Sequence, residues 1–360
     1  MITMTELTGR TKRFVGNTSF GRRVARPIWH RLNRPGVVEA EPGPLPAPPT
    51  APAVVPEVQV YRGYSAEDRA VFDAFPPAGG EAQPGFLVDF LGVRTRVSYG
   101  PFGHVNGKVL GHPVPHSDWF HAETIEYVGL LKSVLSAEGR FVALELGAGW
   151  GPWLVGGAAA ARRRGIATLR LYGVEADPTH FAYLQSHFRD NGLDPEAHVL
   201  RQAAVGVKAG RVSWPKVADP SADWGMRPLG ALGEGEDLPE GTTGPDYQGR
   251  VFDSAIEVEV VALDGILECE DVWDLVHIDV QGSEAELCGA AAELLDRRVR
   301  WVVIGTHSRK IEGDLFDLFY RHGWVLENEK PVRFTYSASA ASLEAMTYKD
   351  GTQVWRNPRF

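Results

Sequence analysis

The stretch from Arg140 to Gly165, RFVALELGAGWGPWLVGGAAAARRRG, decides how the chain reads. A short apolar run from Phe141 to Leu144 leads to Glu145 and then breaks into Gly147, Gly149 and Gly151, after which small and apolar residues continue with helical spacing. That order predicts a strand, a tight turn and a helix. Glycine is needed where a strand turns sharply into a helix, because the backbone enters conformations that a β-carbon resists. The turn also lets a ligand lie against the main chain, and the helix amino end offers it unpaired N–H groups.

Two ligand classes use such a turn. A dinucleotide fingerprint GxGxxG beginning at Gly147 requires glycine at position 152, where this chain has Pro152. The form ELGAGWG, with an acid two residues before the first of three alternate glycines, resembles motif I of the class I S-adenosylmethionine-dependent methyltransferases.

The 360 residues leave room for more than one domain, and 44% hydrophobic with 23% charged residues is ordinary for a globular protein. No run reaches the roughly 20 apolar residues of a membrane span, and the amino end lacks a secretory core, so a cytoplasmic location is expected. With only Cys269 and Cys288, no disulfide framework or cysteine zinc site can be assembled. A net charge of −9 argues against nucleic acid as a partner of the whole chain.

Residues 1–34 are locally basic, with Arg10, Lys12, Arg13, Arg22, Arg23, Arg26, Arg31 and Arg34 against Glu6. Val24, Ile28 and Leu32 recur every four residues beside Trp29, with Pro27 between them. The segment reads as a disordered arm or as an amphipathic helix that makes a peripheral membrane or partner-protein contact through residues 10–34. Residues 35–57 are rich in proline and alanine and read as a semi-rigid linker. Short alternating pieces over 58–122 predict a small α+β accessory region, including a helix capped by Ser65 with Asp68 three residues on. His104, His112, His116 and His121 gather near Trp119 and Phe120; Pro113 and Pro115 prevent a shared helix face, so an acceptor-pocket lining is expected rather than a helical metal pair.

From 123 to 360, strands interleave with helices, which predicts an α/β fold with a mostly parallel sheet covered on both faces. Ligands of such sheets sit at the carboxyl ends of the strands. Glu175 ends the second strand, where a carboxylate can accept from ribose hydroxyls; Asp177, just before Pro178, suits either that role or a helix N-cap. DLVHIDVQGSE ends a near-continuous apolar strand in Asp279 and turns at Gly282 into a helix with Glu284 in its first turn. WVVIGTHS places Thr306, His307 and Ser308 past another apolar strand, and histidine can take a proton near neutrality. Residues 215–250 form a long Gly- and Pro-rich insertion, with Trp214 and Trp224 as apolar anchors, expected to be a lid.

ELGAGWG, LYGVEADPTHF, the HIDVQGSE strand end and IGTHS followed by an acidic helix resemble, in order and spacing, the FkbM family of S-adenosylmethionine-dependent methyltransferases, as does VEVVALDGIL. The resemblance covers about Val142 to Asn328. It implies a Rossmann-like class I fold with a seven-stranded, mostly parallel sheet. Carried over, Glu145, Gly147, Gly149 and Gly151 would cradle the methionine part of S-adenosylmethionine, Glu175 its ribose, and Gln202 would lie near adenine. Asp279 would face the methyl and the acceptor. Some similar enzymes use a divalent metal held by acids after the fifth strand, and here that place reads Thr306, His307 and Ser308.

The function expected is O-methylation of a hydroxyl on a small molecule, sugar, glycan or natural product, with His307 as base and Asp279 as its orienter or a direct acceptor ligand. Two other classes share the sheet. One is an NAD-dependent oxidoreductase of a nucleotide sugar, which Pro152 disfavours; the other is a non-catalytic cofactor-binding module of a glycan assembly complex.

Overall fold

The computed structural model describes residues 63, 65–113, 121–122, 124–229, 246 and 248–360. The basic arm, the proline-rich linker, His116 and most of the insertion beyond 229 lie outside the described residues.

Helix α1 (Ala66–Asp73) starts with the expected capping box: the Asp68 N–H donates to the Ser65 hydroxyl, and the Asp68 carboxylate accepts from the Ser65 N–H. Two short antiparallel strands follow, β1 (Phe86–Val88) and β2 (Arg94–Arg96). Helix α2 (Thr124–Ser136) then leads into β3 (Arg140–Leu146), α3 (Pro152–Arg163), β4 (Thr168–Glu175) and α4 (Pro178–Asp190). Pro152 and Pro178 each open a helix, where a missing N–H costs nothing. Asp177 is the N-cap of α4, accepting from the N–H groups of Thr179 and His180.

The run HVLRQAAVG, which reads as one strand, is two. β5 (Val199–Gln202) pairs with β4, and β6 (Ala204–Gly206) leaves for a separate sheet, ordered β6, β8, β7, with β7 (Gly210–Pro215) and β8 (Ala255–Ala262). Helix α5 (Leu263–Leu267) returns the chain to β9 (Leu275–Ile278). After it come α6 (Glu284–Ala290), α7 (Ala292–Arg298), β10 (Trp301–Thr306), α8 (Arg309–Arg321) and β11 (Val325–Lys330). The short pair β12 (Arg333–Phe334) and β13 (Thr347–Lys349) precedes the last strand, β14 (Gly351–Arg356).

The main sheet has seven strands in the order β11, β14, β10, β9, β3, β4, β5, parallel except for β14, which runs against both its neighbours. This is the Rossmann-like, mostly parallel arrangement that the alternating pattern predicts. Buried side chains fill both faces: Leu130, Phe141, Trp153, Leu154 and Phe188 belong to one core, and Leu144, Trp273, Val276, Leu287 and Phe319 to the other. Phe72 and Phe90 from the segment before α2 join the first core. The chain runs outward from β3 through β4 to β5 and later returns to β9 on β3's other side. That reversal opens a crevice at the strands' carboxyl ends.

Candidate active site

A cavity of about 420 Å³ occupies this crevice, lined from β3, β4 and β9, from the glycine turn and from the described start of the insertion. The turn is pinned to the neighbouring strand by the N–H groups of Gly147 and Ala148, both donating to the Val174 carbonyl. Gly147 has φ +70°, and a β-carbon there would lie 1.8 Å from the Asp279 carbonyl oxygen. Gly149, at φ +56°, lines the cavity beneath the Trp224 ring. Gly151 serves packing instead: it caps α3, does not line the cavity, and its β-carbon would collide with Leu184. Gly147 and Gly149 thus present bare backbone to whatever fills the space, as a cofactor cradle requires.

Two carboxylates border the turn. Glu145 is 1% exposed and accepts from the Leu154 N–H at 2.9 Å, bracing the first turn of α3. Burial pushes its carboxyl well above the usual range, against the pull of the Leu154 and Trp153 N–H groups. Glu175 accepts from the Gly149 N–H at 2.7 Å and from the Asp177 N–H at 2.8 Å. It lines the cavity, and burial also raises its pKa while nearby His180 lowers it. Gln202, expected near adenine, is exposed and does not line the cavity; the wall there is Ala203, Ala204 and Val205. Gln202 is the last residue of β5, and the wall is formed just past it, where the chain leaves β5 for the second sheet.

At the other side of the cavity, Asp279 follows β9 in a tight turn. Gln281, at φ +57°, is the one non-glycine with positive φ among the described residues, and its side-chain amide donates to Asp279 Oδ1 at 2.9 Å. Held strain of this kind fixes a functional side chain. The Asp279 side chain is 38% exposed and lines the cavity. Behind it lies His307, 4% exposed, with Nδ1 donating to Glu284 Oε1 at 2.8 Å and Nε2 3.3 Å from Asp279 Oδ1. Burial alone would discharge the ring, but Glu284, Asp279 and Asp350 together hold its pKa up to about 10. The imidazole is therefore a cation near neutral pH and does not line the cavity. That environment is the wrong one for the base role expected of His307: a ring protonated at both nitrogens has no lone pair for a substrate proton.

Several lining residues were not singled out from the sequence. His277 lies on β9 two residues before Asp279, stacked on Trp153 at 5.1 Å, with neither ring nitrogen hydrogen-bonded. Burial pushes its pKa down to about 3, so it is neutral. The signal was present as a polar residue inside an apolar strand, two before an acid. Among the described histidines of the His-rich loop, His121 lines this cavity and sits against Trp150 and Trp153. Exposed His104 and half-buried His112 are not in its lining. From the insertion, Trp224 stacks on His180 at 3.8 Å and, with Gly225, Met226 and Pro228, closes one side.

No family model matches the chain. Over 286 residues it is 30% identical to a protein of Jannaschia sp. (strain CCS1) named "Putative methyltransferase", an alignment covering 79% of this chain and 96% of that one. Among solved structures it is similar to methyltransferase FkbM from Methylobacillus flagellatus KT, at 14% identity and a TM-score of 0.35, over 64% of this chain and 54% of that one. It is also similar to precorrin-6y C5,15-methyltransferase from Geobacter metallireducens GS-15, at 11% identity and a TM-score of 0.34, over 68% and 92% of the two chains.

Proposed function

The chain belongs to the methyltransferase family of its Jannaschia relative, and from that premise we propose that it methylates a hydroxyl of a sugar, glycan or natural product, using S-adenosylmethionine. The observation that carries this reading is the single cavity in which the bare backbone of Gly147 and Gly149, the Glu175 carboxylate and Asp279 all meet.

Bound there, S-adenosylmethionine supplies a methyl group on a positively charged sulfur. Glu175, already fixed by two backbone N–H groups, has lone pairs left to accept from the ribose hydroxyls. Gly147 and Gly149 allow the cofactor's chain to lie on the turn, and Glu145 stiffens the turn from below. The carboxylates of Glu175 and Asp279 in a partly dry cavity favour a cation between them. With the methyl donor bound, Asp279 would face the acceptor and accept the proton that its hydroxyl gives up on methylation. His307, locked to Glu284, positions Asp279 instead of acting as the base. The aromatic wall of Phe102, Trp150 and Trp224 suits the faces of sugar rings and excludes water.

The test is to incubate the purified chain with S-adenosylmethionine carrying a labelled methyl group and with glycan and small-molecule fractions, then to seek labelled products by mass spectrometry. Product bearing the label on an oxygen supports the reading. Labelling on nitrogen or carbon alone, or none in any fraction, overturns it.

A further inference from the structure

We propose that His277 and Trp150 hold the carboxylate at the amino-acid end of the cofactor. The inference rests on the S-adenosylmethionine reading and gives a task to polar groups that the reading leaves unused. Three residues of the cavity lining carry buried nitrogens that find no hydrogen-bond partner among the described residues: Trp150 and Trp214 at Nε1, and His277 at both ring nitrogens. Their exposures are 8%, 7% and 3%. A buried polar group left unpaired costs about 1–3 kcal/mol, so orphaned nitrogens gathered on one cavity point to a ligand that pairs them.

The sheet order sorts the three. With the ribose at Glu175 on β4, the rest of the cofactor would cross Gly147 and Gly149 at the end of β3 toward β9, which lies about 9–10 Å from β4 on the other side of β3. Trp214 packs with Ala176, Ala204 and Met226, on the β4 side. His277 stands on β9 opposite Glu145 in the parallel register, and Trp150 lies in the turn itself, between Gly149 and Gly151. Charge then decides what they meet. No lysine or arginine lines the cavity among the described residues, whereas Glu126, Glu175, Asp279 and Asp350 do. The cofactor's sulfonium and ammonium have carboxylates to face; its carboxylate has no cationic side chain and falls to uncharged N–H donors. Glu145, opposite His277, is pushed toward its neutral form by burial, which relieves repulsion of a second carboxylate there. The His277 ring, also neutral, has one N–H to give, and its stacking on Trp153 fixes its plane. A neutral donor costs less to bury than an ammonium or guanidinium, and its bond to an arriving carboxylate is charge-assisted.

The experiment titrates the full-length chain, by calorimetry, with S-adenosylhomocysteine and with its decarboxylated analogue, which keeps the adenosine and the amine. The parent should bind S-adenosylhomocysteine more tightly than the analogue. His277→Phe keeps a flat ring without nitrogens; it should weaken S-adenosylhomocysteine about tenfold or more and bind the analogue as the parent does. Trp150→Phe should act in the same direction, and His277→Gln, which restores an N–H donor, should recover most of the loss. Cooperative thermal unfolding checks that each variant is folded, and Trp150→Phe, on another element, carries the test if His277→Phe is not. Unchanged S-adenosylhomocysteine affinity in either folded phenylalanine variant, or an equal loss for both ligands, overturns the assignment and leaves the cofactor reading standing. A parent that binds no S-adenosylhomocysteine contradicts the cofactor reading itself, and the assignment with it.

Discussion

Gly147 has no room for even one more carbon. A methyl group there would meet the Asp279 carbonyl at 1.8 Å while the backbone stays at φ +70°, so Gly147→Ala should lose roughly 3 kcal/mol or more in denaturant unfolding. Gly165, with a similar φ of +79° but open space around it, should lose less on the same change. Such positions are legible in a sequence because glycine marks a backbone requirement that acts within a few residues. His307 was legible as a strand-end polar residue, but its state was not. That state is set by Glu284, 23 positions earlier and brought to 2.8 Å only by folding. Glu284→Gln removes one member of a buried ion pair and should cost about 3–5 kcal/mol, read as a lowered unfolding midpoint. A change under about 1 kcal/mol would mean that the pair is not charged.

Among the elements, α1, α4 and the core strands follow from local signals: a capping box, a proline at the first helical position, an apolar run of the right length. The break at Ala203 does not, because whether β5 continues into β6 depends on which sheet each edge can pair with. The insertion was expected as a lid, and its described start lies against the cavity with Trp224 over Gly149. Intrinsic fluorescence should therefore change on adding S-adenosylhomocysteine, and Trp224→Phe should remove most of that change; an undiminished signal would place the responding indole elsewhere. The turn after β1 offers a pH test. Asp89 is 4% exposed, accepts from the Leu91 and Val93 N–H groups, and is raised by burial to about 7. Its folded pKa lies above the unfolded value, so the native state binds the extra proton and stability falls as pH rises from about 4 to about 7. Asp89→Asn keeps an accepting oxygen without the charge. It should gain stability over the parent at pH 8 and little at pH 4, measured by urea unfolding at both.

For the whole molecule, the strand order places the ends of β3, β4 and β9 around one crevice, and the sequence carried that much because βα alternation and strand-end acids are both local patterns. What it did not carry is the far wall. His277, His121, Trp224 and Asp350 come from four distant segments, and no spacing links them. Among the described residues no helix is long and apolar enough to cross a membrane.

Calorimetric titration of the purified chain with S-adenosylhomocysteine, with NADH as the parallel ligand, tests the crevice most directly. One molecule of S-adenosylhomocysteine should bind per chain, about tenfold or more weakly in Glu175→Ala, while NADH gives no heat. Binding of NADH in its place, or S-adenosylhomocysteine affinity indifferent to Glu175, would contradict a cofactor site at the ends of β3 and β4.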